Sequence, residues 1–289
     1  MTVPRHDIPT GGRSGFAMID GRQVHYLEWG GVRASTVFAL HGGGQTAYMY
    51  EELGAALAPT HHLLAPDLPG HGDSDPLPEF GRREFAAAMP PVLRSFGIDR
   101  ALLVGASLGG MTSITLAAAH PELVEGIVLI DVGHRLEEEG VRRIIEFMQA
   151  HESFASLEEA ATEISQYLPH RNAVRPESLS RNLRQRDDGR WVWKHSLGKR
   201  IAERELGDSA DWRTILEGLE EEARSLRCPV LILRGASSDV LSGEGAEEVA
   251  GLIPGARLET VEKAGHLAAG DNPQSTVSLI TAFLRDVGW

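Results

Sequence analysis

Apolar residues in this chain fall into short runs: Val24 to Trp29, Thr36 to Leu40, Leu63 to Ala65, Ala101 to Val104, Gly126 to Ile130, Val230 to Leu233 and Arg257 to Val261. A short run that is apolar at almost every position suits a strand buried on both faces. Stretches of helical spacing separate most of these runs. That alternation predicts an α/β fold: a mostly parallel, doubly wound sheet of about eight strands with helices on both faces. The first run is the exception. Gly15 to Ile19, then Asp20-Gly21, then Arg22 to Trp29 reads as an antiparallel hairpin, because Asp-Gly supplies the positive φ that a tight hairpin turn needs.

The rhythm breaks between residues 133 and 226. Charged helical segments such as Glu137 to Gln149 and Leu157 to Tyr167 follow one another there without strands. An inserted helical cap is expected over 133–226, a core over 15–132 and 227–289, and a loose polar tail over 1–14. The cap holds Phe147, Phe154, Tyr167, Trp191, Trp193 and Trp212, most of which are expected to fill its own small core.

Composition narrows the function. Of 289 residues, 42% are hydrophobic, enough for a sizeable core, and the formal net charge of −13 argues against a nucleic-acid partner. The single Cys228 rules out an internal disulfide and a cysteine-based metal site, and fits a reducing compartment. No secretory h-region and no membrane-length apolar window are seen, so a soluble, cytoplasmic protein is expected.

The chemistry gathers around Gly105-Ala-Ser107-Leu-Gly109, a hydroxyl between glycines where an apolar strand meets an Ala-rich helix. Small neighbours let such a turn close sharply and lift the serine oxygen clear. A serine needs a base oriented by an acid. His266 follows the strand-like Leu258 to Val261 and precedes a helix start at Asn272-Pro273. Asp239 lies beyond the buried strand Cys228 to Arg234, and the order Ser107, Asp239, His266 is the one expected of a sheet-mounted hydrolase. Asp131, directly after Ile127 to Ile130, is the rival acid, with holding the turn into the cap as its alternative role. For an oxyanion hole, His41-Gly-Gly-Gly44 offers the Gly43 N–H and the elbow offers the Leu108 N–H. The glycine cluster could also be a plain tight turn, whereas a phosphate cradle lacks the expected pattern. His61-His62 opens a strand whose neighbouring side chains diverge, so no metal site is expected.

Together, His41-Gly-Gly-Gly44, Asp67-Leu-Pro-Gly-His-Gly-Asp-Ser74, the Ser107 elbow, Arg234-Gly-Ala-Ser-Ser-Asp239 and Gly265-His266 resemble the α/β-hydrolase fold superfamily over nearly the whole chain. The resemblance implies Ser107 as nucleophile, Asp239 as acid, His266 as base, a cap over the pocket, and Asp67 and His71 as architecture. Ser107 departs from the dehalogenase and epoxide hydrolase pattern, which has aspartate at the elbow. Gln45-Thr46 and Leu267 depart from the C–C hydrolase pattern of Pro-Gly after the glycine loop and Trp after the histidine. Haloperoxidase-like esterases are closer, although they tend to carry a bulkier residue at position 43. The expected reaction is cofactor-free cleavage of a carboxylic ester or lactone of a small-to-medium apolar compound through an acyl-enzyme. Its alternatives are C–C or thioester hydrolysis, acyl transfer, and a non-catalytic binding protein on the same fold. Gly42, His134, Phe147, Trp191 and Trp193 are the expected pocket residues; the partner is a small molecule, and the chain's oligomeric state is open between monomer and homodimer.

Overall fold

A computed structural model describes residues 8–31, 34–168, 174–195, 197 and 212–289. In chain order, the strands of the main sheet are β1 (Arg13–Ile19), β2 (Arg22–Trp29), β3 (Thr36–Leu40), β4 (His62–Pro66), β5 (Ala101–Ala106), β6 (Val124–Ile130), β10 (Val230–Gly235) and β11 (Arg257–Val261). The strands β7 (Ser153–Phe154), β8 (Leu183–Gln185) and β9 (Trp191–Trp193) form a separate small sheet. The main sheet has eight strands in the order β1-β2-β4-β3-β5-β6-β10-β11. Pairing is parallel from β4 to β11, and the β1–β2 hairpin adds antiparallel at one edge. Asp20 and Gly21 both take positive φ in its turn, as the Asp-Gly signal predicts.

Each central strand is buried on both faces and sends alternate side chains into two cores. Phe38, Leu40, Leu103, Leu129 and Ile232 face one core with Phe85, Met89 and Ile114. Val37, Ala39, Leu102, Val104, Leu231 and Leu233 face the other with Leu53, Ile280 and Phe283. The first core is covered by α2 (Arg82–Ser95), α3 (Leu108–Ala119), α6 (Leu219–Ser225) and α7 (Gly243–Leu252), the second by α1 (Glu51–Leu57) and α8 (Pro273–Asp286). Such layering fixes the strand ends, because sliding one strand would push a row of apolar side chains out of both cores at once.

The inserted region, expected to be a helical cap, carries α4 (Glu138–Ala150) and α5 (Leu157–Tyr167) but is not purely helical. Its three-stranded antiparallel sheet, in the order β7-β9-β8, corrects that expectation. Phe154, Ala160, Ile164, Leu179 and Leu183 form a separate apolar cluster there, with Phe147, Trp191 and Trp193 packed against it. The Trp212 side chain lies outside the described residues. Residues 1–7 of the expected tail do too, while Thr10 is tied down by its N–H to Glu51 Oε1 at 2.7 Å and by Trp29 Nε1–H to its carbonyl at 3.0 Å.

Candidate active site

The elbow forms where β5 runs into α3. Ser107 has φ 48° and ψ −115°, a left-handed conformation that a non-glycine residue adopts only when its surroundings impose it. Those surroundings are tight. A Cβ on Gly105 would sit 2.5 Å from the Gly109 carbonyl oxygen, and one on Gly109 would sit 2.0 Å from the Leu40 carbonyl oxygen. Gly109→Ala must therefore push β3 from α3; a loss of about 3 kcal/mol in urea denaturation is expected, the upper range for overpacking.

Ser107 N–H donates to the Ile130 carbonyl at 3.0 Å, which draws the end of β6 to the elbow. The next residue there is Asp131, fully buried and also left-handed, with φ 51°. His266 Nδ1–H donates to Asp131 Oδ2 at 2.8 Å. A carboxylate can only accept, so in the neutral ring Nδ1 carries the proton and Nε2 keeps its lone pair. Gly235 N–H donates to Asp131 Oδ1 at 2.9 Å and Ser238 Oγ–H to Oδ2 at 2.5 Å.

The expected pair of Asp239 with His266 is therefore not the one formed. Asp239 is 48% exposed and pairs with Arg143 of α4 at 2.8 Å. The physical reason lies in the turn after β10. Ser238 N–H bonds back to the Gly235 carbonyl at 3.0 Å, and this turns Ser238 inward to Asp131 and leaves the next side chain facing α4. The place of Asp131, directly after the apolar run Gly126 to Ile130 and one strand over from Ser107, was the readable signal for it.

The glycine loop after β3 closes over the elbow. A Cβ on Gly42 would lie 3.5 Å from Ser107 Cβ, and one on Gly43 would lie 3.8 Å from Leu108 Cδ2 and 3.3 Å from Leu197 Cδ2. Leu108 is the first residue of α3, so its N–H is among the first-turn donors that no helical carbonyl can accept. His41 fixes the loop. Its Nδ1–H donates to the Gly42 carbonyl at 2.8 Å, and its Nε2 accepts from Leu68 N–H at 2.9 Å. Asp67 anchors the next turn through Ala47 N–H at 2.7 Å, Asp73 N–H at 3.0 Å and His25 Nδ1–H at 2.6 Å. Burial alone would raise that carboxyl; the His25 hydrogen bond and the charges of His25 and His41 outweigh it and hold Asp67 below the usual carboxylate range.

Among the described residues, one group has the spacing to hold a metal ion, His25 with Asp67 and Asp73. Its donor atoms are spent on one another, on Ser14 Oγ at 2.9 Å and on Lys194 Nζ, 2.9 Å from Asp73 Oδ2, so these residues fit a structural knot better than a metal. His62 is likewise engaged, with Thr36 and Glu28, and His61 with Thr60. No described helix is long and apolar enough to cross a membrane.

A strand-mounted serine, a histidine held by a buried carboxylate and a glycine loop above them make one architecture, and the α/β-hydrolase fold model matches residues 36–273. The chain belongs to the α/β-hydrolase fold family. Esterase Rv0045c of Mycobacterium tuberculosis is 32% identical over 278 residues, 90% of this chain and 86% of that protein. Its crystal structure matches with a TM-score of 0.73 at 28% identity, over 95% of this chain and 92% of that one. The 2-(acetamidomethylene)succinate hydrolase of Mesorhizobium japonicum is 29% identical over 251 residues, 84% of this chain and 86% of that protein. A crystal structure of E-2-(acetamidomethylene)succinate hydrolase matches with a TM-score of 0.80 at 25% identity, over 95% of this chain and 99% of that one.

In this α/β-hydrolase, the inserted region meets the glycine loop through side chains other than most of those expected. Gly44 faces Met148 Cε of α4 and the His195 ring, whose Nε2 would be 3.3 Å from a Cβ there. Phe147 stacks on Tyr167 at 4.2 Å inside the cap cluster, and Trp191 packs on the same cluster. Trp193 lies at the cluster's edge, bonded by Nε1–H to the His151 carbonyl at 2.7 Å and stacked on His195 at 5.5 Å. His134 Nε2 lies 3.8 Å from Glu248 Oε2 of α7. His195, Met148 and Leu197 were missed because nothing in local periodicity marks which cap residues lean on the core.

His41, His71 and His195 form a chain of rings at the cap boundary, with centroids 5.3 and 5.9 Å apart. Burial, then the charges of neighbouring histidines, pushes His71 well below the ordinary imidazole range and His195 down to about 4. Burial also lowers His41, partly offset by Asp67 and by the bond to Gly42. The unfolded chain takes up these protons near pH 6.5 and the folded one does not. Their stability contribution is thus complete above about pH 6.5 and is lost as pH falls toward 4, on the order of 3 kcal/mol for His195 alone. Thermal melts from pH 7 to 5 should show this decline, and His195→Gln should flatten it.

Proposed function

We propose that the chain is a serine hydrolase of carboxylic esters, lactones included, working through an acyl-enzyme. The observation that carries this reading is the His266 Nδ1 to Asp131 bond at 2.8 Å, with Asp131 directly after Ile130, whose carbonyl accepts the N–H of a serine held at φ 48°. Ser107 Oγ attacks the carbonyl carbon, and His266 Nε2 takes the hydroxyl proton and returns it to the leaving alcohol. Water then attacks the acyl-enzyme with the same histidine as base, releasing the acid and regenerating Ser107. Asp131 holds the imidazole in the working tautomer and stabilises the imidazolium. Gly43 and Leu108 N–H groups receive the oxyanion, each worth a few kcal/mol in the transition state.

The likeness to the mycobacterial esterase supports ester cleavage over thioester, C–C or acyl-transfer chemistry. The side chains on the glycine loop, Leu197, Met148 and a neutral His195, support an uncharged, mainly apolar acyl group over a diacid. Incubation with a fluorophosphonate probe tests the mechanism: a single adduct mapping to Ser107, with turnover of p-nitrophenyl butyrate, is expected. An unlabelled Ser107 in folded protein would instead mark a binding protein on this fold. A panel adding butyryl-CoA and a butyrolactone orders the substrate classes.

A further inference from the structure

The loop after β10 grips the acid that it does not supply. Ser238 Oγ lies 2.5 Å from Asp131 Oδ2, the same oxygen that accepts His266 Nδ1–H. Its own lone pairs accept Val240 N–H at 3.2 Å and Leu241 N–H at 3.1 Å. With both lone pairs engaged, the hydroxyl proton has one outlet, the carboxylate. The loop is held from both sides. Arg234 Nε–H donates to the Leu241 carbonyl at 2.8 Å, and from the cap Glu137 N–H donates to the Val240 carbonyl at 2.8 Å. Gly140 of α4 packs so closely that a Cβ would fall 2.0 Å from the Asp239 carbonyl oxygen.

We propose that Ser238 is a positioning residue of the triad: by donating into the oxygen shared with His266, it aims the Asp131 carboxylate and carries part of its charge. This rests on the serine hydrolase reading of Ser107, His266 and Asp131. The charged groups around this point are the Arg143–Asp239 pair, Arg234, and Asp271, which accepts Gly265 N–H at 2.9 Å next to the histidine. None of the hydrogen bonds described for these groups goes to Asp131, so its carboxylate charge is met here by hydrogen-bond donors: Ser238, Gly235 N–H and His266.

Removing the hydroxyl leaves Asp131 a stronger base. It then holds the imidazolium form of His266 more firmly, and the ring loses its proton at higher pH. Ser238→Ala should move the acid limb of the kcat/KM profile to higher pH and lower kcat/KM about tenfold at neutral pH, the scale of one hydrogen bond to a charged group. The experiment pairs that profile, on p-nitrophenyl butyrate, with a histidine 13C NMR titration of His266 in the wild type, Ser238→Ala, Ser238→Thr and Ser238→Cys. Threonine keeps the hydroxyl and should titrate as the wild type does; cysteine, a weak donor, should fall between it and alanine. A wild-type midpoint in Ser238→Ala overturns the proposal, as does a threonine variant that shifts like alanine. If alanine fails to fold because Val240 and Leu241 N–H lose their acceptor, the cysteine variant decides by the same midpoint. A wild type that takes no fluorophosphonate yet shows the Ser238-dependent titration would sink the hydrolase reading and leave the role of Ser238 standing.

Discussion

Ser107→Ala is expected to lower kcat for ester hydrolysis by roughly 10^4- to 10^6-fold, to the residue of catalysis that binding and the oxyanion donors supply alone. The substitution isolates chemistry from folding. Ser107 makes no side-chain cap bond to α3, and alanine meets the same φ of 48° that serine already tolerates, so the melting temperature should stay within a few degrees. KM should change little, because the hydroxyl contributes to the reacting bond rather than to holding the acyl chain. Steady-state kinetics beside a thermal melt read both quantities. A folded variant with more than a tenth of wild-type turnover would remove Ser107 from the mechanism.

The second large effect separates two aspartates. Asp131→Asn should lower kcat by about 10^4, because an amide can offer His266 Nδ1 an N–H where the carboxylate offered only lone pairs, which favours the wrong imidazole tautomer. Asp239→Asn should stay within about threefold, since it breaks only a half-exposed ion pair with Arg143, worth up to about 1 kcal/mol. The two variants differ in stability as well. Asp131 is fully buried and receives Gly235 N–H, Ser238 Oγ–H and His266 Nδ1–H, so its replacement also lowers the denaturation midpoint. Equal loss of kcat in both variants, or loss only in Asp239→Asn, would return the acid to the loop after β10.

The central sheet was legible because strands buried on both faces, such as β3 and β5, must be apolar at successive positions; the seven runs map onto seven of its eight strands, although β11 at the edge is mostly exposed, and the hairpin reading added β1. The elbow was legible because only glycine clears the carbonyls around Gly105 and Gly109. The acid was less so. Asp131 and Asp239 both follow strands, and their difference is a matter of which side chain a four-residue turn directs inward. Local pattern does not encode that choice. The small sheet did carry a readable sign: an Asp-Gly pair, Asp188-Gly189, lies between Leu183–Gln185 and Trp191–Trp193, although there only the glycine takes positive φ, 84°. The highly charged surroundings masked it. Contacts such as His195 on Gly44 cross about 150 residues of sequence, and helical or strand periodicity says nothing about them.

The separate apolar cluster of the cap has a practical consequence for engineering. Phe154, Ile164 and Leu183 bury one another rather than joining either core of the sheet, while polar pairs such as Arg143–Asp239 and Lys194–Asp73 tie the inserted region to the body. The described residues 138–168 and 174–193 therefore suit exchange as a cassette for the corresponding piece of a relative. The graft has one design constraint. Its first helix must keep a small residue at 140 and join without disturbing the Glu137 N–H bond to the Val240 carbonyl just before it, because both press on the turn through which Ser238 reaches the carboxylate.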